Sequence, residues 1–408
     1  MKILVLNCGS SCVKYQLIET KNEFLLAKVI VERIGMSGAL LTHQTEKENP
    51  IKIAAEVLDH REAIKLALDA LLLSETGVIK DKKEISAIGH RVVHGGEKFA
   101  QSVLITEEVK EDIKDCIELA PLHNPHNLRG IVACEELLPG ISQVAVFDTA
   151  FHQTMPRHAY IYGLPYIQYR KYGIRRYGFH GTSHLYVSQR VAHLMGKPLT
   201  DLKVITCHLG NGASIAAVRG GISIDTSMGF TPLEGLVMGT RCGDIDPAIV
   251  LYIMTDEGLS VNEVNTMLNF HSGLQGLSGI SSDMYDILGE EKKGDDQARL
   301  TIEIFTYHVK KYIASYAGAM GGVDAIAFTA GIGENAPRIR ALSCTGLEFL
   351  GVIIDKERNE KTIKKEGVVS APHSKVKVYC IPTNEELIIA RDTYDVISKT
   401  RVSKGKEG

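Results

Sequence analysis

Apolar residues come in short bursts separated by glycine-rich turns, and two of these bursts follow one plan. The first, Ile3 to Ile18, reads Ile-Leu-Val-Leu-Asn-Cys-Gly-Ser-Ser-Cys-Val-Lys-Tyr-Gln-Leu-Ile. It predicts a buried strand, a tight Asn-x-Gly-Ser-Ser turn and a returning strand. A third apolar run, Phe24 to Val31, extends the hairpin into a meander. The second burst, Val204 to Val218, again sends a strand into a glycine turn, His208-Leu209-Gly210-Asn211-Gly212, and out into another strand. Gly220-Gly221 and Ile222 to Asp225 then supply a third. Such paired units imply a duplicated domain or two unrelated hairpins, and spacing alone leaves both open.

Between these strands the period changes to that of a helix. Asp59–Leu73 and Glu107–Ala120 carry apolar residues on a 3.6 spacing, the latter with Thr106 as N-cap and Pro121 as stop. Ser183–Met195 ends at Gly196, and Leu300–Tyr316 predicts a long amphipathic helix. Strands mixed with helices place the chain in the α/β class. No linker or charge block separates modules, so the lobes are expected to join through packed elements. Only the tail, Ser403 to Gly408, reads as disordered.

The 46 Lys and Arg against 49 Asp and Glu give a net charge of -3, which provides no basic field for nucleic acid or a membrane surface. The longest apolar run, Ala248 to Met254, is far short of the ~20 residues a membrane span needs. The N-terminus reads as a strand rather than a signal peptide. Eight cysteines without a Cys-x-x-Cys pair fit reduced thiols and a cytoplasmic location.

Three glycine turns each follow a predicted strand: Asn7 to Ser11, His208 to Gly212, and Gly331-Ile332-Gly333-Glu334-Asn335. Glycine lets backbone N–H groups approach a phosphate, and a turn between strand and helix is where α/β sheets hold nucleotides. Neither the P-loop nor the Gly-x-Gly-x-x-Gly pattern is present. Two arginines, Arg91 and Arg241, sit in apolar, glycine-flanked surroundings that call for an anion, either a ligand or a structural acid. Asp148 ends the apolar run Val144–Phe147, as a strand-end carboxylate or a cap. The spacings His180/His184, His90/His94 and His123/His126 suggest zinc, but no Glu lies inside a His-x-x-x-His pair and no Cys sits at finger spacing. His180, in a polar loop entering a helix, instead suits donation to developing negative charge. Thr383 and Glu386 have capping-box spacing; Glu385 is left over as a magnesium ligand or a first-turn acid.

These residues carry a resemblance to the acetate kinase family. Asn7-Cys8-Gly9-Ser10-Ser11 with Lys14, His90 to Gly96, Asp148 to His152 and Gly178 to His184 match its motifs in order. So do His208 to Gly212, Thr231 to Gly235 with Met238 to Arg241, and Gly331 to Asn335, the likeness running from Met1 to about Asp392. The resemblance implies a duplicated RNase H-like, actin-like ATPase fold with ATP in the interdomain cleft. The expected lobes are residues 1–150, completed by a C-terminal helix at about 386–408, and residues 151–385.

The implied chemistry is reversible phosphoryl transfer from ATP to acetate, giving acetyl phosphate and ADP. Asn7 and Glu385 would serve Mg²⁺, or Mn²⁺ in its place, and Lys14 would lie near ATP. Arg91 and Arg241 would hold the acetate carboxylate and the phosphoryl group, with Asp148 as the essential carboxylate and His180 as a transition-state donor. His123 matches another active-site histidine. Val93, Leu122, Phe179 and Pro232 match the pocket for the acetate methyl. Nucleotide contacts fall on His208, Leu209, Gly210, Asn211 and Gly212, on Asp283, Met284 and Tyr285, and on Gly331, Ile332, Gly333, Glu334 and Asn335. Members are cytoplasmic homodimers. Two positions depart from the pattern: Cys12 replaces a serine, and Tyr285 stands where arginine is usual, removing a cation from the nucleotide site. The rival readings are a propionate or other short-chain acyl kinase, and a non-catalytic nucleotide-sensing module.

Overall fold

A computed structural model describes residues 1–45, 49–73 and 75–404. The chain divides into two compact units, Met1–Phe151 with the residues from Asn384 onward, and His152–Thr383. The first is built on β1 (Lys2–Cys8), β2 (Cys12–Glu19), β3 (Phe24–Glu32), β4 (Ala39–Thr45), β5 (Ile51–Ala55), β6 (Ile85–Val92), β7 (Val103–Leu104) and β8 (Gln143–Phe147). They form one sheet in the order β5-β4-β3-β2-β1-β6-β8-β7. β1, β6 and β8 run parallel, while β2 to β5 form the antiparallel meander.

Strand β1 shows why both faces must be covered. Leu4 and Leu6 point into a core with Val13, Leu17 and Val29, closed by Ala63, Ile64, Ala67 and Leu68 of the helix His60–Leu71. Ile3 and Val5 point the other way, onto Ile389, Ala390 and Ile397 of the helix Glu385–Lys404. Continuous apolar strands of this kind signal a sheet buried on both faces.

That second layer revises the expected boundary. Glu385 belongs to the first unit, not to the end of the second, because the helix it opens packs on β1, β6 and β8. The capping box at Thr383 and Glu386 does not form. Asn384 Oδ1 accepts from Leu387 N–H at 3.1 Å, while Thr383 N–H and Oγ1 bond to Glu334 and Ser183. Of the tail, Ser403 and Lys404 end this helix, and residues 405–408 lie outside the described residues. The helix expected over Glu107–Ala120 has its Thr106 cap but closes at Asp115, after which turns lead to Pro121.

The second unit repeats the plan with β9 (Lys203–Leu209), β10 (Ala213–Arg219), β11 (Ile222–Thr226), β12 (Ala325–Thr329), β13 (Gly367–Val368) and β14 (Lys377–Cys380). Its order is β11-β10-β9-β12-β14-β13, with β9, β12 and β14 parallel. The run β11-β10-β9-β12-β14 thus reproduces β3-β2-β1-β6-β8, and each sheet ends in a short antiparallel strand. The two glycine hairpins are duplicated elements of an RNase H-like fold. Helices Gly181–Met195 and Asp296–Met320 pack on this sheet, the latter longer than predicted at both ends.

Gly89 on β6 lets the C-terminal helix approach closely. A Cβ there would press on Thr393 Oγ1 and sit 2.7 Å from Ile389 Cγ2. Overpacking of this kind costs about 1–3 kcal/mol. Gly89→Ala should lower the melting temperature by several degrees, and Gly89→Ala with Thr393→Ala should recover part of the loss; an unchanged melt for Gly89→Ala would contradict this packing.

Candidate active site

In the first unit, charged residues gather where parallel strands end. Arg91 is the penultimate residue of β6, and Asp148 immediately follows β8, its N–H donating to Val92 O at 3.0 Å. Arg91 Nη2 and Nε donate to Asp148 Oδ2 and Oδ1 at 2.6 and 3.0 Å, a bidentate pair on a carboxylate that is 1% exposed. Burial acts to discharge Arg91, and the charges of Asp148 and Glu385 outweigh it, holding the guanidinium above its usual value. Asn7 closes toward the end of β1, directly across from Lys14 on β2.

Two asparagines of the helix Asn124–Leu137 fix the loops leaving these strands. Asn127 accepts from Val93 N–H at 3.0 Å and donates to Cys8 O at 2.9 Å. Asn124 accepts from His94 N–H and donates back to His94 O. Val93 is buried beside them, His123 precedes the helix, and Leu122 is 52% exposed.

Glu385 begins the C-terminal helix in the same unit. Burial among protein groups pushes its carboxyl up to about 7; Arg91 pulls against this, and the charges of Asp148 and Glu386 add to it. A divalent cation would relieve that accumulation of negative charge. Glu385 and the Asn7 amide are hard oxygen donors, the type magnesium takes beside nucleotide phosphates. Among the described residues no cluster of three or more His, Cys, Asp or Glu forms a metal site by itself. A cation held here would therefore draw further oxygens from a bound nucleotide.

In the second unit, His180 occupies the left-handed region (φ 57°) just before the helix Gly181–Met195. Its ring stacks on His208 with centroids 4.1 Å apart, and its Nδ1 lies 2.9 Å from Ser214 Oγ. The turn at Gly212 lies against both His180 and Arg241. A Cβ on Gly212 would lie 3.5 Å from both His180 Nε2 and Arg241 Nη1, so these two groups border one small space. Arg241 has no carboxylate partner among the described residues. Its Nη1 donates to Pro232 O at 3.0 Å and meets Met238 Sδ at 3.6 Å, and burial pushes its pKa down. Arg91 thus takes the structural acid that the sequence left as an alternative, and Arg241 does not. Phe179 is buried, with its carbonyl 3.0 Å from His152 Nε2.

A cavity of about 640 Å³ opens in the same unit. Of the expected nucleotide residues it brings together Gly210, Asn211, Asp283, Met284, Tyr285, Gly331, Ile332 and Asn335. The stretch expected as a glycine turn before a helix is itself helical, Ala330–Asn335. Gly333 and Glu334 brace it rather than line the space. Glu334 accepts from Ala330 N–H and Thr383 N–H, and the buried Arg340 donates to Gly333 O at 2.8 Å and to Thr362 O at 2.7 Å. Leu209 lies in the core, and His208 pairs with Ser183 Oγ at 2.8 Å. Tyr285 is 82% exposed on the lining. Sequence reasoning missed Leu288, Ala336, Ile363 and Lys364, the last being the one cation of this lining. Nothing in their local sequence marks them, because only tertiary packing brings them to the cavity.

The acetokinase family profile matches residues 2–391. An acetate kinase of Thermoanaerobacterium thermosaccharolyticum is 60% identical over 402 residues, covering 98% of this chain and 100% of its own length. The crystal structure of Porphyromonas gingivalis acetate kinase superposes with a TM-score of 0.93 at 48% identity, covering 97% of this chain and 99% of that one. A propionate kinase from Francisella tularensis follows at 0.90 and 45%, again covering 97% and 99%. With the matched residues spanning both units and both sets of strand-end groups, the chain belongs to the acetokinase family.

Proposed function

We propose that this chain transfers the γ-phosphoryl group of ATP reversibly to acetate, giving acetyl phosphate and ADP. The observation that carries the reading is Arg241, a half-buried cation that meets only neutral acceptors among the described residues and is placed beside His180. A sensor of nucleotide has no need of that arrangement, whereas a phosphoryl group in a loose transition state requires cations and hydrogen-bond donors on its oxygens. Arg91, fixed by Asp148, orients the acetate carboxylate, and Asp148 is the essential carboxylate. His180 donates to the transferring group, and His123 assists at the acceptor side. The methyl contacts are assigned to Val93 and Leu122 in the first unit and to Phe179 and Pro232 in the second.

The cavity at Asn211, Asp283 to Tyr285, Gly331, Ile332 and Asn335 takes the nucleoside, and Lys14 meets its phosphates. Asn7 and Glu385 hold Mg²⁺, with Mn²⁺ as a substitute. A divalent ion held there would supply positive charge against that of the nucleotide phosphates. No phosphoryl-enzyme intermediate is required, since positioned acetate oxygen can attack in line. The location is cytoplasmic. Propionate is the alternative acceptor, and one methylene discriminates by only about 1–3 kcal/mol.

Hydroxylamine trapping with ATP and acetate, propionate or butyrate tests this directly. Acetohydroxamate should predominate. ATP turnover that ignores the acceptor would overturn the reading, and a propionate excess would change the acceptor. In the same assay Arg241→Leu should lose about 10²–10³ in turnover, as for a comparable charge contact, with little change in melting temperature. Near-normal turnover would remove Arg241 from the chemistry.

The protein acts as a homodimer in this proposal. The helix Pro247–Asp256 contains the longest apolar run of the chain yet buries none of its residues, with Leu251 and Tyr252 about two-thirds exposed. Apolar surface of that density calls for a cover, and a second copy is the occupant the family resemblance implies. Leu251→Glu with Tyr252→Glu should halve the mass measured by light scattering; an unchanged dimer would place the interface elsewhere.

A further inference from the structure

Behind His180 runs a chain of three side chains that are all fully buried: Ser214, His184 and Thr206. Ser214 Oγ lies 2.9 Å from His180 Nδ1 and 2.8 Å from His184 Nε2. His184 Nδ1 lies 2.7 Å from Thr206 Oγ1. The fold explains the line-up. Thr206 and His208 share one face of β9, and the cross-strand register puts Ser214 of β10 opposite His208. The helix Gly181–Met195 lays His184, four residues after His180, over that face.

Counting protons limits what this chain can do. A serine hydroxyl has one proton and two acceptor lone pairs; accepting from both rings would strand that proton in the core, so Ser214 donates to one ring and accepts from the other. Burial, with the His152 and His208 rings nearby, pushes His184 far below the usual histidine range, so it carries a single N–H. Two polarities remain. In one, Thr206 donates to His184 Nδ1, His184 Nε2–H donates to Ser214, and Ser214 donates to His180 Nδ1. Neutral His180 then carries its proton on Nε2. In the other every donation reverses, and the proton of Thr206 must find another acceptor. Thr206 Oγ1 has His184 as its only side-chain or backbone hydrogen-bond partner among the described residues. The reversed polarity therefore strands a buried hydroxyl proton, which is costly.

We infer that Thr206, acting through His184 and Ser214, fixes His180 as the Nε2–H tautomer, ready to donate on the edge it shares with Arg241. This rests on the reading of His180 as a donor to the transferring phosphoryl group. Thr206, His184 and Ser214 are positioning residues, and no net proton moves along them: each hydrogen bond keeps its direction while His180 Nε2–H meets the phosphoryl oxygen.

The test uses full-length enzyme with ring-¹⁵N-histidine. In wild type, His180 should show a protonated Nε2 and an unprotonated Nδ1. Thr206→Val, which keeps shape and removes the hydroxyl, should turn this into a mixture of tautomers and lower kcat at least about tenfold, since a wrong tautomer can cost up to about 10⁴-fold in a comparably held histidine. Apparent KM values for ATP and acetate should move little, and Thr206→Ser should restore both kcat and the spectrum. A His180 Nδ1–H signal in wild type, or a Thr206→Val spectrum identical to wild type, would overturn the inference. Full turnover by His180→Ala would reject the role of His180 itself, while the spectra would still judge the chain.

Discussion

Arg91 and Asp148 stand at the ends of neighbouring parallel strands, and the bidentate contact between them decides how the first unit is assembled. A guanidinium and a carboxylate can be withdrawn from water only when geometry and hydrogen bonds are both good, and parallel register supplies the geometry. Their separation depends on the pairing of β6 with β8, which depends on the apolar strands being covered on both faces. The helix that covers one face begins with Glu385, so the same packing that buries Ile389 and Ala390 also brings a second carboxyl to Arg91. Charge, sheet and C-terminal helix are thus one construction. Buried charge of this density favours chemistry over stability.

Duplication then allows division of labour. Both units present polar groups at the ends of the parallel strands in their sheet, the position where α/β folds bind ligands. The first has spent its arginine on a carboxylate, and so can orient an anion with a cation whose direction is fixed. The second keeps Arg241 unneutralised, beside a histidine hydrogen-bonded to the buried Ser214. It also carries the cavity, walled by the helix Ala330–Asn335 and the residues that Arg340 ties to it. The same strand order carries an arginine paired to a carboxylate in one unit and an arginine without one in the other.

Much of this was legible in the residues. The meanders β1–β3 and β9–β11 followed from short apolar runs around glycine turns, and the Thr106 cap and the Gly196 stop from local chemistry. What stayed hidden was tertiary. The Asn384 cap and the placement of Glu385 depend on which sheet the last helix packs against, and capping-box spacing at Thr383 pointed elsewhere. The His180/His184 spacing suggested zinc, whereas the two rings are linked through Ser214, with Thr206 beyond, and both come from strands outside the loop. Lys364 and Ile363 reach the cavity beside Thr362, whose carbonyl a buried arginine holds, a contact with no sequence signature.

The central claim is that the strand-end charges are kept for chemistry at the expense of stability, and Glu385 offers the sharpest test. Its carboxyl is raised to about 7 in the folded chain, above the usual range. The folded state therefore binds more protons than the unfolded state between that range and pH 7, and stability falls as pH rises through the window. Above it, wild type bears the full cost of the charge, and glutamine would not. Thermal melting at pH 8 without divalent cations, and ATP-to-acetate turnover at pH 8 with Mg²⁺, measure the two sides for Glu385→Gln. The account predicts a melting temperature equal to or above wild type with turnover reduced by about 10² or more. A lower melting temperature with turnover retained would contradict it.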